Sequence, residues 1–186
     1  MRRLDHNTYF MSIAIAVAAR STCQRRAVGC VIVDTKGRIM STGYNGVPRG
    51  HEHCLDEPCL AVGMPSGEGL DLCRAIHAET NALAHCRDTL DIYAVYTTTF
   101  PCIHCMKQLS NTSMKELHYR HTYPSEDISY LGSIDMFHHT GDIFTDLEEI
   151  FDAQRQGSYS VGEREAMATS EVPTGTRGYK RSVPGY

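Results

Sequence analysis

The sequence predicts an α/β protein in which helices cover the faces of a central sheet. Residues 27–34 form a short run rich in β-branched side chains, which is typical of a buried strand. Residues 8–20 place apolar side chains at helical spacing, and helix-like and strand-like segments alternate in the second half of the chain. Because alternating helices and strands bury their apolar faces against one another, this order favours a layered α/β fold.

Local patterns predict the elements in chain order. The helix at 8–20 carries an apolar stripe that includes Ile13 and Val17. After the strand at 27–34, the pair KG precedes RIMSTGYNG, which predicts a hairpin into a second strand at 38–46. The remaining predicted elements are a helix from Ile76 to about Arg87, a strand at 91–99, a helix entered at Pro101 and a strand at 115–121.

The first 20 residues share only Arg2 and Arg3 with a signal peptide. Asp5 and His6 interrupt that pattern, and the apolar residues recur with helical period. We therefore expect an amphipathic helix in a cytoplasmic protein, or in one that works in the host cytoplasm if the source is a virus. No apolar run approaches the roughly 20 residues that a membrane span needs, so no membrane partner is expected.

Composition and charge narrow the class of partner. The chain has 186 residues, of which 41% are apolar and 22% charged, as in ordinary folded domains. Its net charge is −4 and its pI is near 6.2. Nucleic-acid-binding proteins usually carry a basic face, so this balance argues against a nucleic-acid partner. A small phosphorylated ligand is still compatible, because it needs only one or two cations.

The pattern weakens beyond Tyr123. The following residues predict one or two further helices and at most a short strand. From Gly157 onward the chain is polar and rich in Gly, Ser, Thr and Pro. We therefore predict a domain over 1–156 and a polar tail over 157–186 that is flexible or contacts a partner.

Eight cysteines are many for a chain of this length, and in a cytosolic protein they favour metal binding or catalysis over disulfides. The motifs HAE and PCIHC place His77, Cys102 and Cys105 at the starts of two predicted helices. One imidazole and two thiolates are suitable ligands for a catalytic zinc ion, whose fourth position stays open to water. Glu79 is well placed to take a proton from that water.

The pattern H-x-E with P-C-x-x-C marks zinc-dependent nucleobase deaminases, whereas a lone C-x-x-C is more often a structural clip. Other segments that carry information are RSTCQRRAVGCVIV, GRIMSTGYNGVPRG and IHAETNAL. Taken together, these motifs resemble the deoxycytidylate (dCMP) deaminase family over roughly residues 8–123. The YNGVPRG loop beside RSTC distinguishes this family from related deaminases, since deaminases of free cytidine or of tRNA adenosine generally lack it.

The resemblance implies the three-layer α/β/α cytidine-deaminase fold with a central mixed five-stranded sheet. It also implies zinc-dependent hydrolysis of dCMP to dUMP and ammonia, which supplies the precursor of dTMP. Glu79 would protonate N3 of the cytosine and then pass a second proton to the departing amino group. The backbone around Ala78 would hold the pyrimidine edge, and Asn45 would contact the sugar.

The phosphate of such a substrate needs a cation and hydroxyl donors. The family arginine two positions after the RSTC cysteine matches Arg25, and Tyr123 resembles a phosphate-contacting tyrosine of the family. The sequence alone does not decide which of Arg25 and Arg26 points inward. The other arginine would be a solvated surface charge.

Regulation and assembly are also implied by the resemblance. In this family dCTP with a divalent cation such as Mg²⁺ often activates and dTTP inhibits, and the proteins are usually homohexamers, so that one nucleotide can bias several sites. Backbone N–H groups of a Gly-rich loop can cradle phosphates, which places the effector at 43–50. The residues concerned are Gly43, Tyr44, Gly46 and Gly50.

Four further cysteines suggest a second, structural zinc site. They are Cys23, Cys54, Cys59 and Cys73. Four thiolates can fill all four coordination positions of a structural zinc ion. The long Gly/Pro-rich segment 46–74 has little apolar surface to bury, so we expect it to need such a cross-link. His51 and His53 are alternative ligands, and four reduced thiols without a metal are the alternative to the site itself. Cys30 and Cys86 are predicted to be buried apolar residues inside a strand and a helix.

Two other functions stay open at this point. The chain could deaminate another cytosine substrate, such as a modified dCMP or a free nucleoside. It could also be a non-catalytic zinc-binding or nucleotide-sensing module, although the presence of Glu79 argues against that interpretation.

Overall fold

The computed structural model describes residues 3–65, 67–123 and 134–149. Its elements are α1 (His6–Ala18), β1 (Gly29–Asp34), β2 (Ile39–Tyr44), α2 (Ala78–His85), β3 (Ile92–Thr99), α3 (Ile103–Ser110), β4 (Glu116–His121) and β5 (Asp135–His138), and residues 143–149 are also helical. Each helix and strand predicted before residue 122 is confirmed. The domain boundary predicted at 156 and the polar tail predicted at 157–186 lie outside the described residues.

α1 begins and ends two residues earlier than predicted, α2 is shorter than predicted at both ends, and α3 begins two residues after Pro101. His77 and Cys102 are the N-caps of α2 and α3 and have extended backbones, with ψ of 153° and 165°. Cys86, predicted to lie inside a helix, is instead the C-cap of α2, with ψ of 124°. Sequence patterns leave such boundaries uncertain by several residues, because a cap residue fits the helical pattern without having helical dihedral angles.

The strands form one mixed sheet in the order β2-β1-β3-β4-β5. β1 pairs antiparallel with β2 and β3, whereas β3 pairs parallel with β4 and β4 parallel with β5. This arrangement confirms the predicted mixed five-stranded sheet. It also places β1 and β3 in the interior, where all six residues of β1 are buried.

Alternation along the central strands separates two hydrophobic cores. Cys30 and Ile32 of β1 join a core with residues of α2 and α3. Val31 and Val33 point to the other face and join a core with α1 and Ile143. Because successive side chains of a strand point to opposite faces, one buried strand serves both layers. The three-layer α/β/α architecture is therefore confirmed.

α2 lies unusually close to β2, and this contact sets the position of the functional residues that follow. A Cβ atom at Gly43 would lie 2.3 Å from the carbonyl oxygen of Ala78 and 2.3 Å from the backbone nitrogen of Ala82. Ser41 Oγ donates to the Ala82 carbonyl over 2.8 Å, and Asn81 Nδ2 donates to the Tyr44 carbonyl over 2.9 Å. The absence of a side chain at position 43 thus lets α2 pack directly on the strand.

Within the three described ranges, no helix has both the length and the apolar character needed to cross a bilayer.

Candidate active site

Three predicted metal ligands come together at the N-terminal ends of α2 and α3. His77 and Cys102 are the N-caps of these helices, and Cys105 lies in the first turn of α3. His77 Nδ1 is 3.3 Å from Cys102 Sγ and 3.5 Å from Cys105 Sγ. Among the residues that the structure describes, this is the one group of three such side chains whose ligand atoms all lie within 4.8 Å of one another.

The donor set fits a zinc ion. Zinc–sulfur and zinc–nitrogen bonds of about 2.3 and 2.0 Å at tetrahedral angles require donor atoms roughly 3.5–3.8 Å apart. The measured separations are close to that value, and both cysteines are buried. Three protein ligands leave one coordination position for water or substrate, which is the arrangement of catalytic zinc sites.

The electrostatics of the cluster favour a bound cation. Hydrogen bonds from Cys105 and His77 lower the pKa of Cys102 to about 3. The contact with Cys102 and burial raise the pKa of Cys105, because its proton is shared with the neighbouring thiolate. The hydrogen bond with Cys102 raises the pKa of His77. The site therefore gathers negative charge on sulfur, and the N-terminal ends of two helices help to stabilise that charge.

Glu79 is buried beside this cluster, in the first turn of α2, with 3% of its surface exposed. Its Oε1 lies 3.4 Å from Thr97 Oγ1 of β3. Burial raises the pKa of the Glu79 carboxyl, because a charged carboxylate is poorly solvated there. A carboxyl group with a raised pKa can accept and return a proton near neutral pH.

A cavity of about 340 Å³ opens onto the cluster. Its lining includes His77, Glu79 and Cys102, together with the four predicted substrate-binding residues, Arg25, Asn45, Ala78 and Tyr123. The structure therefore brings these residues into one cavity, while their roles stay predictions. Sequence reasoning missed the apolar lining residues Phe100, Met64 and Leu70. The position of Phe100 directly before the PCIHC motif was the signal that could have found one of them.

Asn45 is buried and holds the segment that carries the two arginines. Its Oδ1 accepts from Val28 N over 2.8 Å and from Ser21 Oγ over 2.7 Å. Its Nδ2 donates to the Arg26 carbonyl over 2.7 Å. These bonds give Asn45 a structural role, and contact with a sugar stays a prediction.

Arg25 also has structural partners. Its Nη2 donates to the carbonyls of Pro65, Glu68 and Met64 at 2.7, 3.0 and 3.4 Å. The adjacent Arg26 lies with its guanidinium carbon 5.7 Å from the centre of the Tyr123 ring. Both arginines line the cavity.

The four residues predicted to bind an effector lie elsewhere. Gly43 is covered by α2, and Gly46 pairs with Ile76 through two backbone hydrogen bonds of 3.1 and 2.9 Å. Gly50 has a φ of +85° and faces open space. Neither these glycines nor Tyr44 belongs to the described lining of the cavity. Effector binding at this loop stays a prediction.

The four cysteines of the predicted second site come only partly together. Cys59 N donates to Cys54 Sγ over 3.4 Å, and both residues are buried. Burial raises the pKa of Cys59, but hydrogen bonds that include Cys54 and Cys73 lower it overall. Burial raises the pKa of Cys73, and the charge of Cys23 adds to this effect. These four thiols thus influence one another, but among the described residues no three of their sulfur atoms all lie within 4.8 Å of one another.

Comparisons with known proteins agree with this geometry. The family model of the cytidine and deoxycytidylate deaminase zinc-binding region matches residues 4–121. The chain is 38% identical to the deoxycytidylate deaminase of Mycobacterium phage D29, over 68% of this chain and 99% of that protein. It is 36% identical to the deoxycytidylate deaminase of Saccharomyces cerevisiae, over 70% of this chain and 42% of that protein.

A solved structure is also similar. It is the dCMP deaminase of cyanophage S-TIM5 in complex with dCMP and dUMP, with 25% identity and a TM-score of 0.58. The match covers 75% of this chain and all of that one. The chain spans 63%, 42% and 38% of the length of the first three curated relatives that it matches.

Proposed function

Because this chain belongs to the cytidine and deoxycytidylate deaminase family, we propose that it hydrolyses dCMP to dUMP and ammonia with a bound zinc ion. The observation that carries this proposal is the convergence of His77, Cys102 and Cys105 beside a buried Glu79, at the end of a cavity that His77, Glu79 and Cys102 line. The named activity of the phage D29 relative, which the chain matches over 99% of its length, supports the choice of substrate.

His77, Cys102 and Cys105 would hold the zinc. When bound, zinc lowers the pKa of water from about 15.7 to about 7 and so supplies a nucleophile at neutral pH. The N-terminal ends of α2 and α3 would favour the thiolate forms of Cys102 and Cys105, and the burial of both cysteines fixes their positions.

Glu79 would move the protons of the reaction. It accepts one proton from the attacking water and delivers it to N3 of the cytosine, while the water oxygen bonds to C4. It then transfers the second proton to the amino group at C4. The C4–N bond breaks, ammonia leaves, and the ring becomes uracil. The burial that raises the pKa of Glu79 suits a group that must hold a proton between these steps.

The cavity would orient the substrate. Phe100 and Val28 give apolar surface for a pyrimidine ring, and the backbone at Ala78 lies next to Glu79 to hold its edge. Asn45 would contact the sugar, and Tyr123 would lie near the phosphate. The dCMP and dUMP bound in the cyanophage neighbour support a nucleotide of this size.

We further propose that Cys23, Cys54, Cys59 and Cys73 hold a second, structural zinc. The contacts of Cys59 with Cys54 and Cys73 support this proposal. A zinc ion bound by these cysteines would also cross-link a long segment that lacks helices and strands. Metal analysis of the purified protein tests it. About two zinc ions per chain are expected, and about one would exclude the second site.

Activation by dCTP with Mg²⁺, inhibition by dTTP and assembly into a homohexamer are proposals that rest on the family resemblance. Rates measured with and without each nucleotide test regulation, and the sedimentation of the full chain tests assembly. A dCMP rate that neither nucleotide changes would exclude regulation.

The deciding experiment is release of ammonia from dCMP, 5-methyl-dCMP, deoxycytidine and single-stranded DNA. We expect the highest kcat/KM with dCMP. Equal values for dCMP and deoxycytidine would show that the phosphate is not recognised. Failure to deaminate any of the four would favour a zinc-binding or nucleotide-sensing module.

A further inference from the structure

We propose that Thr80 is a positioning residue of the candidate zinc site: its hydroxyl donates a hydrogen bond to the Cys105 sulfur when zinc is bound, and Gln108 sets the direction of that bond. The inference deepens the proposed function and rests on the zinc ion in it. Thr80 and Gln108 lie outside the patterns H-x-E and P-C-x-x-C, and neither belongs to the described lining of the cavity.

Thr80 lies where α2 and α3 meet. It is the third residue of α2, whereas Cys105 and Gln108 are both in α3. Thr80 Oγ1 is 3.7 Å from Cys105 Sγ and 3.1 Å from Gln108 Oε1. Because residues three positions apart are neighbours on the surface of a helix, one hydroxyl group reaches both side chains.

Thr80 differs from the other partners of the Cys105 sulfur. The described side-chain partners of this sulfur include His77, Cys102, Glu79 and Thr80. His77 and Cys102 are the other proposed zinc ligands, so their donor atoms would face the metal, and Glu79 is the proposed proton carrier. Thr80 has neither role, and its hydroxyl therefore stays available to the sulfur throughout the reaction.

The chemistry of a bound cysteine fixes which atom donates. A cysteine that ligates zinc is a thiolate, which accepts hydrogen bonds and has no hydrogen to give. Cys105 is 1% exposed, so water does little to satisfy its sulfur. A hydrogen bond between these two residues in the zinc-bound protein must therefore run from the Thr80 hydroxyl to the Cys105 sulfur.

Gln108 decides whether the Thr80 hydrogen is available. A hydroxyl has one hydrogen and can also accept, so Thr80 cannot donate to Gln108 Oε1 and to the sulfur at once. Rotation of the amide by 180° places Nε2 where Oε1 lies, with almost no change in shape. Gln108 is exposed, so packing does not oppose this rotation. The amide then donates to Thr80 Oγ1, and Thr80 donates to the thiolate.

The main test is Thr80→Val, which keeps the size of the side chain and removes the hydroxyl. Competition with a chelator should show zinc bound about ten- to a hundredfold more weakly, the usual effect of losing a partner of a metal ligand. With cobalt(II) in place of zinc, the sulfur-to-cobalt charge-transfer band should move to longer wavelength, because the sulfur holds its electrons less tightly without the donor. Thr80→Ser keeps the hydroxyl and should retain both properties.

Thr8→Val is the matched control. Thr8 is the third residue of α1, is half-buried like Thr80, and donates from Oγ1 to Asp5 Oδ2 over 2.7 Å. Its loss should lower the melting temperature but leave the cobalt band and the zinc affinity unchanged. Difference spectra against the wild type cancel any cobalt bound by the four loop cysteines, which these substitutions do not touch.

Gln108→Leu tests the direction of the bond. Thr80 then loses its orienting partner but keeps its hydrogen, so zinc binding should weaken less than in Thr80→Val. The double variant Thr80→Val/Gln108→Leu should bind zinc as Thr80→Val does, because Gln108 acts only through Thr80.

The inference is overturned if Thr80→Val keeps the wild-type cobalt band and zinc affinity, or if Thr80→Ser is impaired as much as Thr80→Val. Additive losses in the double variant would overturn the role given to Gln108. A wild-type protein that shows the sulfur-to-cobalt band but deaminates no cytosine substrate would instead reject the proposed function, and the spectra would still decide the role of Thr80.

Discussion

Two thiol-rich regions of this molecule differ in what holds them. The candidate metal centre, called the metal centre below, consists of His77, Cys102 and Cys105, which lie on the caps and first turn of two helices. The loop cysteines, Cys23, Cys54, Cys59 and Cys73, lie in irregular chain. In the first region the donor atoms approach to 3.3 and 3.5 Å, whereas in the second Cys59 N donates to Cys54 Sγ over 3.4 Å.

The difference shows that two sets of metal-binding side chains in one protein can receive very different support from secondary structure. The helices of the metal centre pack on the buried sheet, and this packing positions their N-terminal ends next to each other. The loop cysteines lie outside the helices and strands, and Cys54, Cys59 and Cys73 pack with Ala61 in a small cluster of their own.

The largest expected effect comes from removing one thiol from each region in turn. Cys105→Ser should remove the zinc of the metal centre and reduce dCMP turnover to the background of the assay, because two ligands hold zinc poorly. Cys59→Ser should lower the zinc content of the second site and the melting temperature, but leave kcat within about tenfold, the lower end of the effect of an outer-shell change. Zinc analysis, ammonia release and thermal melts measure these effects.

Cys86→Ser is the matched control, since Cys86 belongs to neither region and its Sγ contacts the carbonyl of Asp88. It should keep both metal content and activity. If Cys59→Ser abolished dCMP turnover as Cys105→Ser does, the proposed difference between the metal centre and the loop cysteines would be wrong.

A smaller effect is expected where the metal stays and the proton carrier is lost. Glu79→Gln keeps the shape of the side chain but cannot take up a proton, so kcat for dCMP should fall about 10²- to 10⁴-fold. The zinc content should remain that of the wild type, because Glu79 is not a ligand. Single-turnover rates and metal analysis measure the two quantities. A fully active Glu79→Gln protein would show that another group carries the proton.

The support of the metal centre can be weakened without touching a ligand. Gly43→Ala would place a methyl group 2.3 Å from the Ala78 carbonyl and from the Ala82 nitrogen, so α2 must shift. We expect the free energy of unfolding to fall by about 1–3 kcal/mol, as in other overpacked cores, and activity to fall with it. Urea unfolding measures the loss.

Gly141→Ala is its control, because a Cβ at Gly141 meets no atom within 4 Å. It should change stability by less than about 0.5 kcal/mol. If Gly43→Ala were as stable as the wild type and lost only a response to dCTP, Gly43 would belong to an effector site and not to the packing of α2.

The smallest effect concerns pH and lies outside both regions. Acid weakens metal binding by thiolate and imidazole ligands. The effect of pH on the free energy of unfolding of the rest of the protein must therefore be measured without zinc. His118 stacks between Tyr96 and Phe137, with ring centres 4.3 and 4.7 Å away. Its ring nitrogens lie 3.0 Å from His139 Nε2 and 3.1 Å from Glu116 Oε2. Burial lowers the pKa of His118 and that of His139.

The sign of the effect follows from protonation of the unfolded chain. Below its ordinary pKa of 6.5, an unfolded histidine binds a proton that the folded His118 does not bind. The free energy of unfolding should therefore fall as the pH decreases from 7.5 to 5.5, and less so in His118→Gln. Glu116 acts at lower pH, because hydrogen bonds from Tyr93 and His118 outweigh burial and lower its pKa below 4.5. Urea unfolding of the zinc-free protein at three pH values checks this, and equal slopes in both proteins would contradict it.

Local patterns predicted much of this molecule. The helical period of apolar residues predicted the helix at 8–20, and a run of β-branched residues predicted the buried strand at 27–34. Both signals depend on neighbours in sequence only. The ligands Cys102 and Cys105 were predictable for a similar reason, since their spacing puts them within one helical turn. The loop 46–74 offered no such period, and the arrangement of its cysteines could not be derived.

The sequence by itself predicted the candidate chemistry of this chain, because the spacings H-x-E and P-C-x-x-C place the candidate ligands and the candidate proton carrier within single elements. Only the tertiary structure decided which residues from distant parts of the chain lie together at the candidate site. It brought His77 to the cysteines, assigned carbonyl partners to Arg25 and an aromatic ring to Arg26, and placed Gly43 beneath α2. Contacts between residues far apart in the chain depend on how whole elements pack, and no local spacing encodes that packing.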